Sequence, residues 1–245
     1  MLEGPQAVTE ALAFRPELVV ELYATPTALE RHIGIAGSAV EAGVDVEFVT
    51  EQVLDAMADT VTPQGVLAVC HQFPTSVKDI LSTSRHPGGV RLLAILEEVR
   101  DPGNAGTIVR AADAAGADGV IFTGRSVDLY NPKVVRASTG SIFHLPVAVG
   151  ASLIPVLERV RAAGISVLAA DIKGEDLLAA RHDGTLAKPT AWLFGNEARG
   201  LTDEHLALAD RSIAVPLYGH AESMNLATAA SVCLYESAFA HHSIS

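Results

Sequence analysis

The sequence predicts an α/β protein in two parts: a small mixed block, then a larger one built on a mostly parallel sheet. Three observations carry that expectation. Short apolar runs alternate with amphipathic or Ala-rich stretches along the whole chain, as strands exchanging with helices do. Hydrophobic residues make up 49% of the chain but aromatics only 5%, and mean hydropathy is +0.30, so Ala, Val and Leu fill the core. Finally, "TSVKDILSTSRHPGGV" (75–90) gathers Ser, Thr, Pro and Gly between two blocks that each look complete. The expected division is a first domain at 1–75, a linker at 76–90 and a second domain at 91–245.

In the first block, Pro5–Phe14 is expected to be a helix, with Pro5 in its first turn. "ELVVELYA" (17–24) is a strand, Thr27 to Ala42 a helix and "VDVEFV" (44–49) a strand. Thr50 caps a short helix over "EQVLDAMA", and "GVLAVCHQ" (65–72) closes the block as a strand.

The second block opens with strand "RLLAILEEV" (91–99), a turn "RDPGNAG" and a helix over "TIVRAADAAG". Strand "DGVIFTG" (118–124), a short helix at Asn131–Ser138, the segment "SIFHLPVAV" and a helix near 151–163 follow. Strands at 165–170, 191–195 and 212–217, a helix near 202–209 and a final helix from about Glu222 or Ser223 complete it. Strands separated by helices favour a parallel sheet covered on both faces.

The chain carries a net charge of −12, which argues against a generic nucleic-acid binder. The charge is unevenly spread. Residues 1–90 hold 4 basic against 12 acidic residues, whereas 91–150 hold 6 of each, so a phosphate-binding face is expected in the second block. Cys70 and Cys233 each lie in an apolar run and read as buried free thiols, not a disulfide or metal framework. No apolar run is long enough for a membrane helix, and "MLEGPQAVTE" lacks the plan of a signal peptide, so a cytoplasmic protein is expected.

In open parallel sheets ligands sit beyond the carboxyl ends of the strands. Three loops there stand out. In "EVRDPGNAGTIVRAADAAG", Asn104 lies near a helix start and Arg110 lies in the helix beyond it. Taken alone, these are an N-cap and a solvated arginine. A dinucleotide fingerprint fits poorly, since no third glycine follows Gly103 and Gly106 and the next strand ends without an acid. In "AWLFGNEARGL", Glu197 follows Gly195, which permits close approach of a ligand, and Thr202 is a plausible cap. In "VPLYGHAESMNLATAA", Ser223 as N-cap with Asn225 and Thr228 as ordinary helix-start residues is the plain alternative to a site.

Together the three loops resemble the signature motifs of the SpoU/TrmH group of SPOUT methyltransferases. Asn104, Arg110 and Gly116 match the first motif; Phe194, Gly195, Glu197, Gly200 and Leu201 the second; Pro216, Gly219, Ser223, Asn225, Ala229, Ala230, Leu234, Tyr235 and Glu236 the third. "NPKVVRASTGSIFHLPV" (131–147) also resembles a segment common in this group, and the first block resembles the L30e-like domain that precedes the catalytic domain in many members. The chain departs from the group's Ser-Leu-Asn-Val-Ser at Met224 and Ala227.

The resemblance implies transfer of a methyl group from S-adenosylmethionine (SAM) to a ribose 2′-hydroxyl of RNA. It implies ribosomal RNA ahead of transfer RNA, a C-terminal trefoil knot and a homodimer in which each site borrows Arg110 from the partner. Asn104, Arg110, Glu197, Ser223 and Asn225 are then the catalytic set. Ala170, Gly195, Asn196, Val215, Leu217 and Met224 are expected to contact the cofactor, and Lys133 and Arg136 the RNA; neither a metal nor a membrane is implied. The rival readings are an RNA-binding protein without catalysis, a dinucleotide-dependent oxidoreductase, and a SPOUT enzyme that methylates a base.

Overall fold

A computed structural model describes residues 1–242. The first block forms β1 (Leu2–Glu3), α1 (Pro5–Phe14), β2 (Val19–Ala24), α2 (Pro26–Arg31), α3 (Ile33–Ala42), β3 (Val46–Phe48), α4 (Glu51–Met57) and β4 (Val66–Cys70). Its sheet has the order β1-β4-β2-β3, with β2 and β3 parallel and β4 antiparallel to both β1 and β2. The single helix expected over 27–42 is two. The chain breaks at His32, whose φ of −120° and ψ of 59° close α2 and open α3. Thr50 caps α4 as expected, its side chain accepting the Val53 N–H.

The stretch read as a linker is structured. It carries α5 (Val77–Ile80), and Val77 and Ile80 are buried in the second block's core. The Thr75 N–H also donates to the Val147 carbonyl at 3.0 Å, at the edge of the larger sheet.

The second block runs β5 (Leu92–Glu97), α6 (Pro102–Ala114), β6 (Gly119–Thr123), α7 (Pro132–Ser138), β7 (Val147–Ala151), α8 (Leu153–Ala162), β8 (Ser166–Asp176), α9 (Leu177–His182), β9 (Thr190–Phe194), α10 (Asp203–Ala207), β10 (Arg211–Ala214) and α11 (Leu226–His242). Its six strands are all parallel, in the order β10-β8-β9-β5-β6-β7. All residues of the central strands β5 and β9 are buried, as a sheet covered on both faces requires. β8 extends beyond the expected 165–170. It pairs with β10 through Leu168 and Ala169, bulges, and pairs again through Glu175 and Asp176. Gly174 sits in the bulge, where a Cβ would lie 2.5 Å from the Ile213 nitrogen, so only glycine lets these two backbones meet.

The strand order places the reversal of winding between β5 and β9, where a parallel sheet opens a crevice at its carboxyl end. α11 returns across the sheet to this point. Its buried face is Ala227, Ala230, Cys233, Leu234, Ser237 and Ala238, and the buried Ser237 hydroxyl accepts the Trp192 indole N–H at 2.9 Å. That bond satisfies the one polar atom of the largest core side chain, so it fixes where the helix sits on the sheet.

The two sheets share one apolar cluster, from Val8 and Leu22 to Leu96 and Phe122. Along the seam Phe73 stacks on Phe143 (5.4 Å between centroids), and its N–H donates to the Tyr130 hydroxyl at 2.9 Å. His144 lies between Asp113 of α6 (2.8 Å) and Glu10 of α1 (3.1 Å). Burial lowers its pKa, but the two carboxylate hydrogen bonds outweigh that and raise it. Cys233 is buried and free, its thiol pushed up to about 12 by burial; Cys70 is half-buried and pushed up to about 11 for the same reason.

Candidate active site at the carboxyl end of the parallel sheet

The loops after β5, β9 and β10 converge where sheet topology expects a ligand. Asp101, not Asn104, caps α6: its side chain accepts the Asn104 N–H at 2.7 Å, and Pro102 supplies the first turn. The helix therefore begins five residues earlier than its apolar pattern suggests, and the Asn104 side chain is free to reach across the crevice. α11 likewise starts later than expected. Asn225 caps it, accepting the Ala227 and Thr228 N–H groups at 2.9 and 3.2 Å, so Ser223 lies in the loop before the helix.

Glu197 ties the β9 loop to the β5 loop. One carboxylate oxygen accepts the Asp101 N–H at 3.0 Å and the Asn104 amide at 3.5 Å. The other accepts the Arg100 N–H at 3.2 Å and the Asn196 amide at 3.4 Å. On the opposite side the Asn225 amide donates to the Asn104 Oδ1 at 2.9 Å. Asn104 thus bridges Glu197 and Asn225, and the second and third loops are joined through the first. Asn196 closes its own loop by accepting the Ala198 and Arg199 N–H groups, while its amide donates to the Glu98 carbonyl at 2.9 Å.

Beside this network lies a cavity of about 330 Å³. Of the six residues expected to meet a cofactor, Ala170, Asn196, Val215, Leu217 and Met224 line it. Gly195 is buried behind it, and a Cβ there would lie 2.4 Å from the Gly200 carbonyl carbon. A glycine is required there by the tight return of the 196–200 loop. Sequence reasoning missed Asp171, Ile172, Arg199, Ile213 and Leu226 in the wall. Asp171 and Ile172 had a signal, since they follow the apolar run "VLAA" directly; Arg199 had none beyond its place between Glu197 and Gly200.

Ser223 and Glu197 also line the cavity. Arg110 does not: it is exposed on α6 and makes no ion pair with the described residues of its own chain. Lys133 is exposed at the start of α7. Arg136 instead sits in the seam between the sheets, 3.5 Å from Glu3 and 3.5 Å from Asp59, where two carboxylates occupy its guanidinium. Among the described residues no helix is long and apolar enough to cross a membrane.

The model of the SpoU rRNA Methylase family matches residues 91–235, and a second model, for RNA 2′-O ribose methyltransferase substrate binding, matches residues 1–76. The chain belongs to the SpoU rRNA methylase family. The resemblance read from the three loops is thereby borne out. The 23S rRNA guanosine 2′-O-methyltransferase RlmP of Bacillus subtilis is 33% identical over 235 residues, 96% of this chain and 86% of that protein. A 23S rRNA uridine 2′-O-methyltransferase of Streptomyces viridochromogenes is 33% identical, over 93% of this chain and 67% of that protein. Among solved structures, an AdoMet-bound rRNA methyltransferase from Sinorhizobium meliloti superposes with a TM-score of 0.79 at 33% identity, covering 96% of this chain and 85% of that one. The six-stranded parallel sheet of this SpoU-family chain is the sheet those relatives lead one to expect.

Proposed function

We propose that this protein transfers a methyl group from SAM to a ribose 2′-hydroxyl of ribosomal RNA. The observation that carries the reading is the joining of the three motif loops through Asn104 beside a cavity of about 330 Å³. That volume lies within the range of about 300–1,000 Å³ usual for small-molecule sites. The wall suits the cofactor: Phe194, Ile213, Val215, Met224 and Leu226 offer an apolar bed for an adenosine, and Asn196 and Ser223 offer polar groups. When bound, SAM supplies an activated methyl on a sulfonium.

The chain's own part is to place the hydroxyl and handle its proton. Arg110 is read as holding an RNA phosphate and stabilising negative charge developing on the ribose oxygen. A guanidinium has a pKa above about 12 and is a poor base, so the proton leaves through phosphate or water. Glu197 is read as the support that fixes the Asn104 and Asn196 loops, since both its oxygens already accept hydrogen bonds. Because Arg110 lies outside its own chain's cavity, the site is read as completed by the partner's Arg110 in a homodimer. Support for a dimer face on α11 comes from the adjacent Tyr235 and Phe239 rings, 37% and 50% exposed. The trefoil knot is part of the same reading, supported by β8 lying between β10 and β9 and by the return of α11 to α6 and β5. The division into an L30e-like domain, linker and catalytic domain rests on the two sheets and the residues between them.

Transfer of radiolabelled methyl from SAM to 23S rRNA, followed by mapping of the modified nucleotide, tests the reading. Label found on a base, or no label on any RNA while SAM still binds, would overturn it.

A further inference from the structure

Glu98 stands where the chain leaves β5, and its backbone is left-handed, with φ at +52°. For a residue with a side chain such a conformation is strained and persists only where its surroundings hold it. They do here. The Glu98 carbonyl accepts the Asn196 amide at 2.9 Å, and its N–H donates to the Thr123 carbonyl at 3.3 Å. The carboxylate is bonded to the Arg199 guanidinium, and the Arg100 guanidinium lies 3.6 Å from it.

The three side chains are not equally open. That of Glu98 is 19% exposed, whereas those of Arg199 and Arg100 are 56% and 58% exposed. Two largely open cations therefore share one largely covered anion. Among the described residues, Arg199 is also the one basic side chain in the cavity wall. A guanidinium has five N–H donors in a fixed fork, so one held by a carboxylate still offers donors outward. Two cations against one carboxylate leave this cluster locally positive, so it attracts the cofactor's carboxylate or an RNA phosphate, while Asp171 and Glu197 are the acids of the same wall.

We propose that Arg199, oriented by Glu98 and reinforced by Arg100, is an anion-binding subsite at the mouth of the cofactor cavity. It takes a carboxylate or phosphate oxygen, supplied by the tail of SAM or by the RNA. Glu98 is a positioning residue whose left-handed backbone aims its carboxylate at Arg199. The inference rests on the proposed cofactor and substrate.

Three quantities separate the outcomes, all on the full chain: the Kd of SAM, the Kd of methylthioadenosine (which lacks the amino-acid carboxylate), and the KM for 23S rRNA across a salt series. If the cofactor's carboxylate is the ligand, Arg199→Ala weakens SAM by roughly tenfold and leaves methylthioadenosine unchanged. If an RNA phosphate is the ligand, both adenosine compounds bind as before, the RNA KM rises by roughly tenfold and the salt slope becomes shallower by about 0.7–0.9. Glu98→Gln moves the same quantity in the same direction by a smaller factor, with kcat little changed. An Arg199→Ala variant that alters none of the three, or that weakens SAM and methylthioadenosine equally, overturns the subsite. An unchanged Glu98→Gln variant overturns the positioning role. Failure of the parent protein to bind SAM at all would refute the proposed function instead, so the two are distinguishable.

Discussion

Replacing Glu197 with Gln tests whether that carboxylate supports the site or acts as a base. Four donors face its two oxygens: the Asp101 N–H at 3.0 Å and Asn104 amide at 3.5 Å on one, the Arg100 N–H at 3.2 Å and Asn196 amide at 3.4 Å on the other. A glutamine has one oxygen, so whichever way it turns, its amide meets two donors where an acceptor stood. A hydrogen bond to a charged group is worth about 1.5–3 kcal/mol, and the site is open enough for water to replace part of it, leaving a loss of about 1–2 kcal/mol. That corresponds to a fall of roughly 5- to 30-fold in kcat/KM. Single-turnover methyl transfer measured across pH is the assay. A supporting residue gives a profile of unchanged shape at a lower rate, with a thermal midpoint lowered by a few degrees, because the same hydrogen bonds hold the loops in the free protein. Removal of a general base costs roughly 100- to 10,000-fold and deletes an ionisation from the profile. A fall of that size with the ionisation gone and SAM affinity intact would refute the support role.

Arg110→Lys keeps the charge but loses the planar two-point contact, and is expected to lose most single-turnover activity; near-parental activity would sink the phosphate-clamp reading. Mixing inactive Arg110→Ala and Asn225→Ala chains should restore about a quarter of parental activity, since half the dimers are then mixed and each holds one intact site. No recovery after subunit exchange would remove Arg110 from the partner's site. Lys133→Ala should make the salt dependence of RNA binding shallower, whereas Arg136→Ala should lower unfolding stability by about 1–2 kcal/mol through its ion pairs with Glu3 and Asp59. The reverse assignment of the two effects would count against the placement of both. Because the His144 pKa is raised by Asp113 and Glu10, its stabilisation is fully present below its ordinary value near 6.5 and is lost as pH rises through the raised one. Urea unfolding at about pH 6 and about pH 8 should therefore show a pH-dependent loss in the parent that His144→Gln lacks.

Much of the fold was legible because strands buried on both faces leave unbroken apolar runs such as "LLAILE" and "TAWLF". What escaped has local physical reasons. The extension of β8 through "DIKGED" is polar and pairs only with β10, so it carries no apolar signal. α9 is six residues long, too short for its period to show against the loop around it. The start of α6 was misplaced because Pro102 and Gly103 look like a turn, when a proline at the first helical position fits the helix equally well. The site was legible as three separate loops, each explicable as capping. Their connection was not, because the Asn104–Asn225 bond spans 121 residues and the Glu197–Asp101 bond 96. The two caps assigned from residue type, Asn104 and Ser223, each fell to a neighbour, Asp101 and Asn225. Which of several adjacent polar residues caps a helix depends on backbone geometry that residue type alone does not carry.

The distribution of charge bears on how a protein with a net charge of −12 engages a polyanion. Residues 1–76 match a substrate-binding model, yet they hold only two basic side chains, Arg15 and Arg31, against eleven acidic ones. Arg15 is paired with Glu17 at 2.6 Å and its guanidinium lies over the Phe73 ring, so Arg31 alone among them makes no ion pair with the described residues. Phosphate neutralisation cannot come from such a surface. Arg110, Arg125 and Lys133, by contrast, lie within the charge-balanced stretch 91–150, are exposed and make no ion pair with the described residues. Arg125 follows β6 at the carboxyl end of the parallel sheet, beside the loop that carries Arg100. If affinity for RNA is set there, the first block contributes through shape or hydrogen bonds and its acidity rejects RNA bound in the wrong pose. Lysine substitutions at Glu41 and Glu47 would then tighten binding to unrelated RNA more than to 23S rRNA, eroding discrimination while raising affinity. Equal tightening for both RNAs would show that the acidity plays no part in selection.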